Sequence, residues 1–69
     1  MGRGLDQAGR QYIQDLVERK ESDEYIRKEI ARLLKNKDWE YVKNKEFVDW
    51  LRRKGWKVTA AYLWNHVSG

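Results

Sequence analysis

Cysteine and proline are both missing from this 69-residue chain. Without cysteine there is neither a disulfide nor a thiolate metal site to staple a small fold, and a secreted mini-domain would usually carry such bridges. Without proline, and with only five glycines, little breaks a helix from within, so most of the chain can be helical. No apolar run approaches about 20 residues, which excludes a membrane-spanning helix. The opening MGRGLDQAGR lacks the apolar stretch of a signal peptide, and Asp6 stands where a myristoylation signal carries Ser or Thr. These absences together imply a soluble intracellular protein, cytoplasmic or nucleoid-associated. The chain has a single histidine, His66, with no nucleophile or carboxylate pair spaced around it, and one histidine cannot hold a metal alone. Glu18, Glu21, Asp23 and Glu24 fall at helix ends, where charge or solvent accounts for them, and no glycine-rich phosphate loop exists. The expectation is therefore a non-enzymatic protein with no cofactor, no metal and no small-molecule ligand.

What the chain does contain is aromatic and unevenly charged. An apolar share of 41% with nine aromatic residues argues for a folded globule rather than a disordered tail. Four tryptophans supply much of the core expected of so short a chain, since each ring can bury roughly 150–250 Å². The net charge of +4 is localised: residues 1–42 balance nine basic against nine acidic side chains. Residues 43–57 carry Lys43, Lys45, Arg52, Arg53, Lys54 and Lys57 against only Glu46 and Asp49. A solvated helix face explains such a segment on its own, but its concentration around a turn gives the local positive field that phosphate binding requires.

The apolar periodicity predicts four helices in a single domain spanning 1–69, behind a disordered N-terminus over residues 1–6. A first helix runs from about Gln7 to Lys20, capped by Asp6, with Tyr12, Ile13, Leu16 and Val17 on one stripe. A second runs from about Asp23 to Lys37, capped by Ser22 or Asp23, with Ile26, Ile30, Leu33 and Leu34 facing inward. The segment DWEYVK reads equally as a turn of helix or a short extended stretch, and Trp39 within it reads as a core plug. Asn44 is placed as the N-cap of a third helix, Lys45 to Lys54, that buries Phe47, Val48 and Leu51. Gly55 fits the left-handed position just past that helix. Thr59 is placed to cap the last helix, with Val58 and Leu63 as a hydrophobic staple around it. The fold class is all-α, with one core expected from Ile13, Leu16, Ile26, Ile30, Leu33, Phe47, Leu51, Leu63 and Val67.

Two helices joined by a short glycine turn, here over residues 44–67, are the outline of a helix-turn-helix, whose second helix enters the major groove of DNA. On a helical projection Ala60, Leu63, Trp64 and Val67 share the inward face of the last helix. Ala61, Tyr62 and Asn65 take the opposite face, with His66 on its flank; these four are the candidates for reading bases. A small residue such as Ala61 permits close approach, and the Asn65 amide matches the donor and acceptor of adenine. Lys43, Lys45, Arg52, Arg53, Lys54, Lys57 and Thr59 are the candidates for holding phosphates, Thr59 together with the free N–H groups of the helix start.

The stretch EFVDWLRRKGWKVTAAYLWNHV, residues 46–67, resembles the helix-turn-helix of bacterial arginine repressors. It matches that family's pattern at Glu46, Val48, Asp49, Leu51, Gly55, Lys57, Val58, Thr59 and Ala61, and in character at Phe47, Trp56, Leu63 and Val67. The resemblance implies a DNA-binding fold of which the last helix is the reader. It covers about a third of the chain. Where the family carries Ser-Arg-Asp in the reading helix, this chain has Trp64, Asn65 and His66, so the family's operator preference does not transfer. Neither its winged β-hairpin nor its hexamer-forming, arginine-binding domain has a counterpart in these residues.

The leading expectation is thus a small basic domain that binds double-stranded DNA, acting as a transcriptional or recombination regulator. The competing expectation is a helical protein-interaction module or scaffold, natural or designed, since Trp and Tyr are enriched at interfaces and Tyr62 lies on the outer face. Exposure of Trp50 and Trp64 on one patch would favour it. RNA is a third partner class, because aromatic rings beside basic residues can stack unpaired bases.

Overall fold

The computed structural model describes residues 2–69. Four helices follow one another: α1 Gln7–Glu18, α2 Asp23–Leu33, α3 Tyr41–Arg53 and α4 Lys57–Ser68. The described residues form no strand, only an isolated antiparallel bridge between Gly4 and Lys35. The all-α architecture expected from the periodicity is therefore present. α3 packs most extensively on α4, and α2 lies against both α1 and α4. Their facing stripes meet in one core of Leu5, Ile13, Leu16, Val17, Ile26, Ile30, Phe47, Val48, Leu51, Ala60, Leu63 and Val67. Leu33, expected among these, is only partly buried and packs at the rim.

The ends of α1 and α2 follow local chemistry. Asp6 accepts a hydrogen bond from the Gly9 N–H at 2.8 Å, and the Ser22 hydroxyl oxygen accepts one from the Tyr25 N–H at 3.1 Å. Each side chain satisfies a donor that the first helical turn leaves unpaired. α1 closes with Lys20 N–H to Val17 C=O and Glu21 N–H to Leu16 C=O, a Schellman arrangement that puts Lys20 at φ +60°. α3 closes the same way, Gly55 N–H to Arg52 C=O and Trp56 N–H to Leu51 C=O, with Gly55 at φ +89°. Gly55 thus holds the left-handed position read from the sequence.

Residues 2–6 form a packed arm rather than the expected disordered tail; Met1 lies outside the described residues. Leu5 is fully buried. Gly4 and Lys35 exchange backbone hydrogen bonds at 3.0 and 2.7 Å, and the Arg3 N–H donates to the His66 carbonyl at 2.8 Å. The arm therefore crosses the C-terminal end of α4 and the segment after α2. Gly4 lies beneath Trp39, so close that an added Cβ would sit 2.4 Å from the indole ring. Trp39 itself is partly buried against the core.

Three expected boundaries differ in the structure, two of them beside this arm. α2 stops at Leu33, four residues short of Lys37. Leu34 turns extended (ψ 135°), which delivers Lys35 to its bridge with Gly4. α3 starts at Tyr41, so Asn44 lies inside the helix and is not its cap. The Asn44 amide accepts from the Leu5 N–H at 2.8 Å and donates to the Leu5 carbonyl at 2.9 Å and the Glu40 carbonyl at 2.8 Å. α4 starts at Lys57, with Trp56 in the N-cap position and no side-chain cap. Thr59 is consequently the third residue of the helix rather than its cap, and Val58, 61% exposed, is no staple.

Candidate nucleic-acid interface

The outward stripe of α4 is set by what it buries. Thr59, Ala60, Leu63 and Val67 point into the protein, and at 100° per residue the opposite side carries Val58, Ala61 and Asn65. All three are exposed. Tyr62 and His66 flank that stripe on one side, half-buried, their rings edge-to-face at 4.9 Å. On the other flank Trp64 meets Tyr41 of α3 at 6.1 Å. The four residues expected to read bases therefore do share one side of one helix, with Ala61 and Asn65 outermost.

Of the seven expected phosphate ligands, six lie at the surface. Lys43, Lys45, Arg52, Arg53, Lys54 and Lys57 are all exposed. Arg52 makes a salt bridge to Asp49 at 3.2 Å, and the Lys54 ammonium sits 5.6 Å from the centre of the Trp50 ring. Among the described residues, Lys43, Lys45, Arg53, Lys54 and Lys57 have no carboxylate within salt-bridge distance. The six do not form one surface. Helical spacing puts Lys45 and Arg52 on the Tyr41 flank of α3, next to α4, and Lys43 on the opposite flank with Trp50. That second flank faces α1 across a groove lined by Gln7, Gln11, Lys43, Phe47 and Trp50.

Thr59 does not join them. It is fully buried and its hydroxyl donates to the Asp23 carboxylate, which also binds Arg27 at 2.5 Å. A negative charge at the first turn of α4 is favourable against the helix dipole. Asp23, from the start of α2, supplies it. The Thr59 hydroxyl, expected to hold a phosphate, is thus engaged by a carboxylate from within the fold.

Away from this face, a second polar cluster joins α1 to α2. The Tyr12 hydroxyl donates to Glu29 at 2.8 Å, and Arg32 donates to the same oxygen at 2.7 Å. Arg32 first, then Tyr12, holds the Glu29 carboxyl below its ordinary value. The Tyr25 hydroxyl and the Glu29 carboxylate push Tyr12 up to about 12. Each charge is answered inside the cluster, so it ties helices together and leaves no reactive group free.

Two features arise only from the tertiary packing. Arg3 and Lys37 line one open cleft together with Leu34, Lys35, Asn36 and Asp38; only the packing of the arm against residues 34–38 brings them together. Tyr41 beside Trp64 depends on α3 beginning early enough to include Tyr41. Trp50, for its part, stacks on Phe47 at 5.5 Å, nine residues and half a turn around α3 from Tyr41. Trp50 and Trp64 therefore do not share a patch. Among the described residues no helix is long and apolar enough to cross a membrane. Comparison with protein-family models, curated proteins and solved structures finds no match to this chain.

Proposed function

We propose that this protein is a non-enzymatic domain that binds double-stranded DNA, laying α4 into the major groove as the second helix of a helix-turn-helix. Such a domain would serve as a transcriptional or recombination regulator. The observation that carries this reading is the outer stripe of α4: a small side chain and an amide, Ala61 and Asn65, exposed side by side. Lys57 stands at one end of the helix and Lys45 and Arg53 on the neighbouring α3. In such a complex the cations fix position on the backbone, while Asn65 distinguishes bases through its donor and acceptor. The resemblance of residues 46–67 to the arginine-repressor motif supports the same role for the last helix.

Protein recognition draws its support from exposed apolar side chains: Tyr25 at 41%, Tyr41 at 49%, Val42 at 63% and Val58 at 61%. They do not gather. Tyr41, at the start of α3, lies beside Trp64, late in α4, whereas Val58 lies at the other end of α4. A hot spot needs a contiguous buried centre, and these positions offer none. Titration of the full chain against a generic duplex at several salt concentrations decides the matter. DNA binding requires affinity that falls steeply with salt, weakened similarly for all sequences by Arg53→Ala and Lys57→Ala. Asn65→Ala should instead reduce the preference for a selected site, by about 1–3 kcal/mol. A folded protein that binds no duplex even at low salt would defeat the proposal.

A further inference from the structure

We infer that the cleft between the N-terminal arm and residues 34–38 is a second phosphate-binding site, which grips the DNA backbone at the C-terminal end of α4. The inference rests on the DNA reading and adds to it a site, a polarity and a footprint.

The cleft has a volume of about 380 Å³, ample for a phosphodiester group, and brings Arg3, Lys35 and Lys37 together from segments more than thirty residues apart. Among the described residues neither Arg3 nor Lys37 has a carboxylate within salt-bridge distance. Lys35 is partly committed, 3.6 Å from Asp6. One lining group has the wrong sign for an anion, Asp38. The cations are held in place by the backbone: the Gly4–Lys35 bridge fixes the arm to the loop, and the Arg3 N–H caps the His66 carbonyl.

The position of the cleft matters as much as its charge. The Arg3 guanidinium lies 3.5 Å from His66 Nδ1, so the cleft adjoins the Tyr62–His66 flank of the α4 face. A helix of 12 residues is roughly 18 Å long, against a major groove about 12 Å wide. Cations at its two ends can therefore address opposite phosphate backbones: Lys57 and Arg53 one, Arg3 and Lys37 the other. A cation beside a helix C-terminus is favourable in any protein, which accounts for Arg3 alone. It accounts for neither Lys37 nor the cleft.

The test is fluorescence anisotropy of the full chain on a ~20-bp generic duplex between ~50 and ~200 mM salt. Arg3→Ala with Lys37→Ala should weaken binding roughly three- to tenfold and lower the slope of log affinity against log salt by about 1–2. Asp38→Asn should tighten binding roughly two- to fivefold by removing a like charge from the phosphate's surroundings. Asn tolerates the left-handed conformation of residue 38, φ +61°, so the fold is kept. Loss of structure cannot produce that gain. Arg19→Ala with Lys28→Ala removes the same charge from two exposed positions, one at the end of α1 and one on the outer side of α2, and should change affinity less than about twofold. If the arm–loop pair behaves like this control, or Asp38→Asn gives no gain, the second site is wrong while the α4 reading stands. If the unmodified protein binds no duplex, both fall together.

Discussion

Asn44 is a weak helix former in the second turn of α3, and its amide explains its presence there. It pairs with both backbone groups of Leu5, of which the N–H would otherwise be buried unsatisfied. The Leu5 carbonyl keeps a second donor, Arg10 Nη1 at 2.9 Å, but the Leu5 N–H has no other partner. Asn44→Ala should therefore cost about 1–3 kcal/mol, the penalty for one orphaned buried donor. Denaturant melts would measure it, and amide exchange at Leu5 should accelerate more than at Ile13. Backbone conformation supplies a second residue-scale comparison. Lys20 and Gly55 occupy equivalent left-handed positions at φ +60° and +89°, one with a side chain and one without. Nothing lies within 4 Å of a Cβ added at Gly55, so its requirement is conformational rather than steric. Lys20→Gly should raise stability by about 1 kcal/mol and Gly55→Val lower it by about 1–2 kcal/mol. Equal melting of Gly55→Val and its parent would contradict the αL assignment.

At the scale of elements, the arm belongs to the core although it has no helix. Leu5 is as buried as Ile13 or Leu51, and Leu5→Ala should cost about 2–5 kcal/mol, the range of a large-to-small change in a helix interior. A loss below about 0.5 kcal/mol would return the arm to the status of a loose tail. The α1–α2 junction should make stability respond to pH at both extremes. Glu29, held low by Arg32 and Tyr12, and Asp6, held low by the Gly9 N–H and Lys35, favour the folded state in their ionised forms. Their contribution is complete above the unfolded carboxyl values and is lost as pH falls through the depressed folded ones. Tyr12 has the opposite sign. Raised from 10.0 to about 12, it favours folding while protonated, so its contribution is full below its unfolded value and disappears as pH rises toward the folded one. Melting temperatures should fall at both ends of this range, and Tyr12→Phe should remove the alkaline fall while leaving an acid one.

For the molecule as a whole, the unpaired cations of residues 43–57 set two salt effects against each other. Their mutual repulsion destabilises the folded domain, and added salt screens it over a Debye length of about 10 Å at 0.1 M. Melting temperature should therefore rise slightly with salt while duplex affinity falls steeply. Calorimetry and a binding titration over one salt series would check the pair. A melting temperature that falls with salt would mean that the cations are paired in solution.

The sequence by itself determined the presence of four helices, most of their inward stripes, the cap at Asp6 and the turn at Gly55, and it narrowed the second cap to Ser22 or Asp23. Each of these depends on residues within a turn or two, where spacing and side-chain chemistry are read directly. It also placed Ala61, Tyr62, Asn65 and His66 on one side of α4, because a helix converts spacing into direction. Only the tertiary structure decided the rest. The buried arm, the early start of α3, the early end of α2 and the pairing of Thr59 with Asp23 each join residues more than thirty positions apart. Asn44 and Thr59 are good caps by type; a distant backbone and a distant carboxylate claimed them instead, since a buried polar group binds whatever partner the packing delivers.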